Sequence, residues 1–299
     1  MSTKKCKKNF EWPAVSPAQL ELGQTTMNMI AVHMSDGVLP PVWLIAGAGV
    51  AAALVVLGTR RMSDREIALA GILSAAFFAA SSLHIRLGPT SVHPLANGLL
   101  GVLLGWRAAP AIAVGLTMQA LLLGHGGLTA LGVNAVVLIV PALLAGGLYR
   151  AIVAGSWWRR PGGRAVLIVL TAAAWCAVAL LAIDVVAPAR LETGRSDLAW
   201  VRWAARAAAV AIAAAGVIAG LRSRSEAEFA LGSCVGTLCA LATVGLNAVV
   251  LYWTLPEPAE SVAGAMLLAH LPIAAVEGGL VGTGLVVLRR AAPQSLPAL

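Results

Sequence analysis

The side chains best suited to chemistry in this sequence are its five histidines, His33, His84, His93, His125 and His270. Imidazole is the commonest protein metal ligand and suits nickel, copper, zinc and iron. None of the five has the H-E-x-x-H spacing that sets two imidazoles and a general base on one helix face, which argues against a membrane metallopeptidase. Their surroundings are distinctive. His33 opens His33-Met34-Ser35-Asp36-Gly37-Val38-Leu39-Pro40-Pro41, and His93 closes Gly88-Pro89-Thr90-Ser91-Val92-His93-Pro94. His125 opens His125-Gly126-Gly127-Leu128-Thr129-Ala130-Leu131-Gly132-Val133-Asn134. Small residues of this kind let the backbone approach a ligand closely. Glu277 follows His270 by seven residues, two helical turns, so the two share a helix face. They either pair with each other or bridge to neighbouring helices, a structural role rather than metal contact. His84 reads as a packed interfacial histidine.

Membrane helices must position these residues. Of the 299 residues, 59% are hydrophobic and 11% charged, with a mean hydropathy of +0.86, against about 25% charged in a soluble domain. The apolar runs divide into nine segments at 41–58, 67–84, 95–106, 108–124, 132–149, 165–187, 200–221, 229–254 and 262–288. A spanning helix needs roughly 20 apolar residues at ~1.5 Å each, so the third segment cannot cross unaided. Gly105-Trp106-Arg107 is either a tight turn between two spans or a break in one embedded element. Small-x-x-x-small pairs at Gly47/Ala51 and Ala48/Ala52 permit close helix approach, such as docking to a coupling partner, but in so alanine-rich a helix the pattern is a common one.

The net charge of +8 does not signal nucleic acid, because the arginines sit in short clusters between apolar segments. Arg60, Arg61, Arg65, Arg107, Arg150, Arg159, Arg160, Arg164, Arg222, Arg224, Arg289 and Arg290 fall on one side, which the positive-inside tendency makes cytoplasmic. The C-terminus is then cytoplasmic and all five histidines lie towards the outside. Lys4, Lys5, Lys7 and Lys8 contradict this, since they would lie outside. Cys6, Cys176, Cys234 and Cys239 contain no C-x-x-C pair. No cleavable signal peptide is expected in the polar first 31 residues. The chain contains no G-x-x-x-x-G-K-[ST], so ATP hydrolysis would come from elsewhere.

His33-Met34-Ser35-Asp36-Gly37 with Leu39-Pro40, then Ser91-Val92-His93, then the run His125 to Asn134, and last Ala269-His270-Leu271-Pro272-Ile273-Ala274-Ala275-Val276-Glu277-Gly278, carry a resemblance. In this order they resemble the substrate-binding membrane component of cobalt and nickel energy-coupling-factor transporters, the CbiM/NikM type. The resemblance covers residues 33–150 and 226–290. It implies an all-α polytopic transmembrane bundle in the cell inner membrane, with about seven family-core helices. Here two more would be inserted. The expected divisions are a 1–31 extension, a 32–157 part holding the metal site, a 158–224 inserted helix pair, a 225–290 C-terminal part and a 291–299 cytoplasmic tail.

The resemblance also implies the site. Family members begin Met-His, and the N-terminal amine, the next amide and its imidazole chelate one metal, with a further loop histidine completing four nitrogens. Carried over, the imidazoles are His33 and His93, and the amine belongs to Val32. Asp36, Ser91, His125 and Asn134 are candidates to orient the ligands by hydrogen bonding. Because thirty-one residues precede Val32, the chelate requires translation to start there, at a GTG codon read as methionine, or cleavage ahead of it. The implied cargo is cobalt(II), preferred over nickel(II), with no catalytic cofactor. The implied partners are a transmembrane coupling subunit, ATPase subunits and a small accessory membrane subunit, all in the lipid bilayer, and no nucleic acid. The competing readings are a membrane metalloenzyme and an assembly protein without ligand.

Overall fold

A computed structural model describes residues 33–83, 85–87, 90–191, 199–222, 227–255 and 259–291. The fold is an all-helical transmembrane bundle. Its helices are α1 (Pro41–Thr59), α2 (Asp64–Ser81), α3 (Asn97–Leu104), α4 (Ala108–Leu123), α5 (Leu131–Ala154), α6 (Pro161–Leu191), α7 (Ala199–Arg222), α8 (Ala227–Thr254) and α9 (Ala259–Ala291). Seven stretches are long and apolar enough to cross a membrane, with Asn97–Leu123 counted as one. The helix α2 is not among them, because Asp64, Arg65 and Glu66 occupy its first turn.

Local chemistry sets the helix starts. Pro41 opens α1, where a missing N–H costs nothing. A capping box opens α2: Glu66 accepts the Ser63 N–H at 2.9 Å while Ser63 Oγ accepts the Glu66 N–H at 3.4 Å. Glu66 also meets Arg107 at 2.9 Å, tying this end of α2 to the turn Gly105–Arg107.

That turn resolves the ambiguity of the third and fourth segments. Asn97 Nδ2 donates to the Leu138 carbonyl, and further along α3 a Cβ on Gly101 would overlap Ala142 and one on Gly105 would meet Arg150. The α3 helix therefore runs parallel to α5. The α4 helix runs back, with Gly115 against Phe77 and Gln119 bonded to Ser81, alongside α2. Gly105–Arg107 is a reversal. At eight residues, about 12 Å, α3 is a half-helix whose N-terminus begins inside the bundle. An antiparallel hairpin of β1 (Ile85–Leu87) and β2 (Thr90–Val92) precedes it, where only a loop of small residues was expected. Strand pairing satisfies backbone groups that a bare loop entering the bundle would leave open.

Gly47 and Ala51 are buried against α5, where a Cβ on Gly47 would overlap Val133. This small-residue pair therefore serves internal packing, not a coupling partner. The α6 helix packs on α8 and α9, α7 packs on α6, and Asp184 joins the two through Arg206 Nε at 3.0 Å, with Arg202 at 4.0 Å. The most extensive helix contact among the described residues is α8 against α9, with glycines on both sides, among them Gly232, Gly236, Gly278 and Gly282.

Candidate metal centre

Three of the five histidines converge where α1 and α5 begin and α4 ends. Their ring nitrogens lie within 4.8 Å of one another. The His33 and His93 rings are near parallel, 5.0 Å apart with a 9° interplanar angle. The His125 ring stands edge-on to both, at 5.0 Å and 5.2 Å. His33 and His93 are buried, at 2% and 1% exposure, and His125 is half-buried. Nitrogens that share one ion at ~2.0–2.1 Å lie about 3–4 Å apart, so a metal would need only a small inward adjustment.

Each histidine arrives on its own segment. His93 Nδ1 lies 3.0 Å from the Pro94 carbonyl. That oxygen can only accept, so Nδ1 carries the proton and Nε2 presents its lone pair. A backbone partner of this kind commonly fixes the tautomer of a metal-ligating histidine.

The His33 segment is held by the glycine-rich turn before α5. The Asn134 side chain bonds both backbone groups of Met34, and the Gly127 N–H donates to the Met34 carbonyl at 3.0 Å. The Asp36 carboxylate accepts the N–H groups of Thr129 at 2.8 Å, Leu128 at 3.2 Å and Ala130 at 3.4 Å, and the Thr129 hydroxyl as well. A carboxylate is favoured at the amino end of a helix, here that of α5. The Thr129 hydroxyl, with these amides, holds the Asp36 carboxyl below its usual range against the opposing effect of burial. Gly126 adopts φ +77°, and Gly127 lies so close to Asp36 that any Cβ would overlap the carboxylate. These two glycines let the turn fold onto the His33 segment.

Asp36 and Asn134 thus hold the backbone that carries His33. The His125 ring lies beside those of His33 and His93. The Ser91 backbone pairs with Arg86 in the hairpin, and its side chain lies outside the described residues. Val32 and His84 also lie outside them. His270 is buried on α9, its Nδ1 2.7 Å from the Met266 carbonyl, apart from the three-histidine cluster. Glu277 does not pair with His270. It bridges helices, accepting the N–H groups of Leu95 and Ala96. Sequence reasoning missed two further polar contacts, Asn97 with Thr243 at 2.9 Å and Asp184 with Arg206. A polar side chain inside an apolar segment was the available signal for both.

A family model described as "Cobalt uptake substrate-specific transmembrane region" matches residues 33–221. Among similar proteins, a cobalt transport protein CbiM of Geobacter sulfurreducens is 34% identical over 39% of this chain and 36% of its own length. A cobalt transport protein CbiM of Clostridium tetani is 31% identical over 36% of this chain and 48% of its own length. A relative in Archaeoglobus fulgidus bears a fused nickel transport name, NikMN, and is 39% identical over 40% of this chain and 42% of its own length. The chain spans about half the length of the curated relatives it matches, or less. In fold it is similar to a crystal structure of a truncated transition metal transporter, with a TM-score of 0.51 at 18% identity, covering 86% of this chain and 98% of that one.

Proposed function

The chain belongs to the family of cobalt-uptake substrate-specific transmembrane regions, and from that premise we propose that it is the metal-capturing membrane subunit of a cobalt or nickel importer. The observation that carries this reading is the set of three imidazoles, each offering one nitrogen within 4.8 Å of the others, at one end of a transmembrane bundle. Neutral nitrogen donors suit a borderline divalent transition metal and not magnesium or calcium, which take oxygen. His33 and His93 bind the ion and His125 supplies a third nitrogen. The amine of residue 32 supplies a further one if the functional chain begins there. The ion is cargo, and the protein performs no catalysis.

In this reading the site opens to the outside of the inner membrane, supported by the arginine clusters at the opposite helix ends, Arg107, Arg150 and Arg289 among them. The family likeness supports ATPase and transmembrane coupling subunits as partners, and a small accessory subunit fits the same assembly. Residues 158–224, the α6–α7 pair, take no part in holding the metal. Cobalt(II) is the preferred ion, in keeping with the family description, although affinity order alone favours nickel(II).

The test is metal binding by the purified protein, with cobalt(II) and nickel(II) in competition, alongside uptake of each labelled ion by cells that also express the partner subunits. Saturable binding of one ion per chain and uptake dependent on this chain are expected. A purified protein that binds neither ion would end the reading.

A further inference from the structure

The segment that delivers His93 has no cap of its own. After β2 the chain runs through His93, Pro94, Leu95 and Ala96 into α3 without regular structure. Ala96, at the N-cap position of α3, takes φ +51°, a left-handed conformation rare for a residue with a Cβ. Its side chain holds no oxygen, and no side-chain cap bond forms from that position. Leu95 and Ala96 are buried, as is most of α3. The amino end of a helix leaves backbone N–H groups without partners inside the helix. Buried in this way and unmet, each would cost about 1–3 kcal/mol.

Glu277, on the last helix, meets the N-cap amide of Ala96 and the amide of Leu95 just before it. Its Oε1 accepts the Leu95 N–H at 2.5 Å and the Ala96 N–H at 3.0 Å, and its Oε2 lies 3.0 Å from the Ala96 nitrogen. Glu277 is 1% exposed. The close α8–α9 contact fixes its height, since a Cβ on Gly236 would run into the Glu277 carbonyl and one on Gly278 into Thr237. The anchored amides lie two and three residues beyond His93. Asn97 adds a second anchor through Leu138 and Thr243, on α5 and α8.

We propose that Glu277 is a positioning residue for the metal site: from α9 its carboxylate holds the Leu95–Ala96 backbone and so fixes the height and aim of His93. The inference rests on the proposed metal-capture function and extends it to a residue that touches no ligand imidazole. A backbone held at two amides spares the loop the entropy of ordering when metal arrives. It also links the last helix to a site built by the first half of the chain.

The experiment is a double-mutant cycle on the full chain in detergent, with nickel(II) and cobalt(II) as probes. Calorimetry gives Kd for wild type, Glu277→Gln, His93→Ala and the double variant. Glu277→Gln should weaken binding about 10–100-fold, the range typical of groups that orient ligands. If Glu277 acts through His93, the double variant should bind no more weakly than His93→Ala, within about twofold. X-ray absorption of nickel-loaded Glu277→Gln should count fewer imidazole nitrogens, and peptides spanning 93–101 should exchange amide hydrogens faster with no metal present. Unchanged affinity, or losses that add in full, would overturn the inference while leaving metal capture standing. If Glu277→Gln is not recovered monodisperse, Glu277→Asp, which keeps the carboxyl group on an arm one methylene shorter, decides by the same non-additivity criterion. Failure of the wild type to bind either ion would sink metal capture itself, and the inference with it.

Discussion

Asn134 holds Met34 by both of its backbone groups: its Oδ1 accepts the Met34 N–H at 2.9 Å and its Nδ2 donates to the Met34 carbonyl at 2.9 Å. Backbone N–H can only donate and a carbonyl can only accept, so this pair also fixes which way the Asn134 amide points. The first turn of α5 thereby treats the His33 segment as a strand partner. Residues 100 apart in sequence are locked one residue from an imidazole of the cluster.

The ligands separate from their supports by the size of the loss. His33→Ala, His93→Ala and His125→Ala should each lower metal affinity by more than the 10–100-fold typical of groups that only orient ligands, and each should largely abolish uptake. His84→Ala should have a small effect. Calorimetry and labelled-ion uptake measure both. A loss in His84→Ala equal to that in His93→Ala would mean that the loop ligand is misassigned.

The turn before α5 is predicted to act on the site through the backbone of residues 33–36. Asn134→Ala strands the buried N–H of Met34, at about 1–3 kcal/mol, while the Met34 carbonyl keeps the Gly127 N–H. Gly127→Ala drives a methyl group into the Asp36 carboxylate. Both should weaken metal binding about 10–100-fold while the helical circular dichroism stays unchanged. Wild-type affinity in Gly127→Ala would show that the turn can open without cost to the site.

Acid should act in two stages. Metal ligands must be deprotonated to bind, so affinity falls first as the imidazoles protonate. The Asp36 contacts follow at lower pH. Its carboxyl is held below its ordinary value, so its stabilising contribution is fully present above that value and is lost as pH falls through the lowered one. Hydrogen exchange at the amides of Leu128–Ala130 should therefore stay slow at a pH where metal has already left. Simultaneous loss of both would contradict the assignment of Asp36 to backbone anchoring.

The proposed amine ligand at residue 32 has its own test. Deprotonating a peptide amide requires a metal anchored at the adjacent amine, so an acylated position 32 removes two nitrogens at once. A chain beginning Met-His33 should bind metal more tightly than one beginning at Met1 with cleavage blocked. N-terminal mass spectrometry of the native protein identifies the functional start. Equal transport by the intact Met1 chain would leave a site of histidine side chains alone, which the three-imidazole cluster is built to support.

The sequence by itself determined the bundle and singled out several of the residues that converge in it. Uninterrupted apolar runs leave the backbone no solvent to bond except itself, so helices follow from composition. His33 and His93 stood out because histidine is scarce here and each lies in a run of small or turn-forming residues. Tertiary structure alone decided that His125 closes the cluster, that Asn97–Leu104 is a half-helix reversing at Gly105–Arg107, and that Glu277 bonds Leu95 and Ala96 instead of His270. The last contact spans 182 residues. Helical periodicity reports which residues share a face, but not which distant face that one meets. A helix terminus buried without a cap must find its partner across the bundle, and only the packed arrangement of α8 and α9 determines which carboxylate arrives.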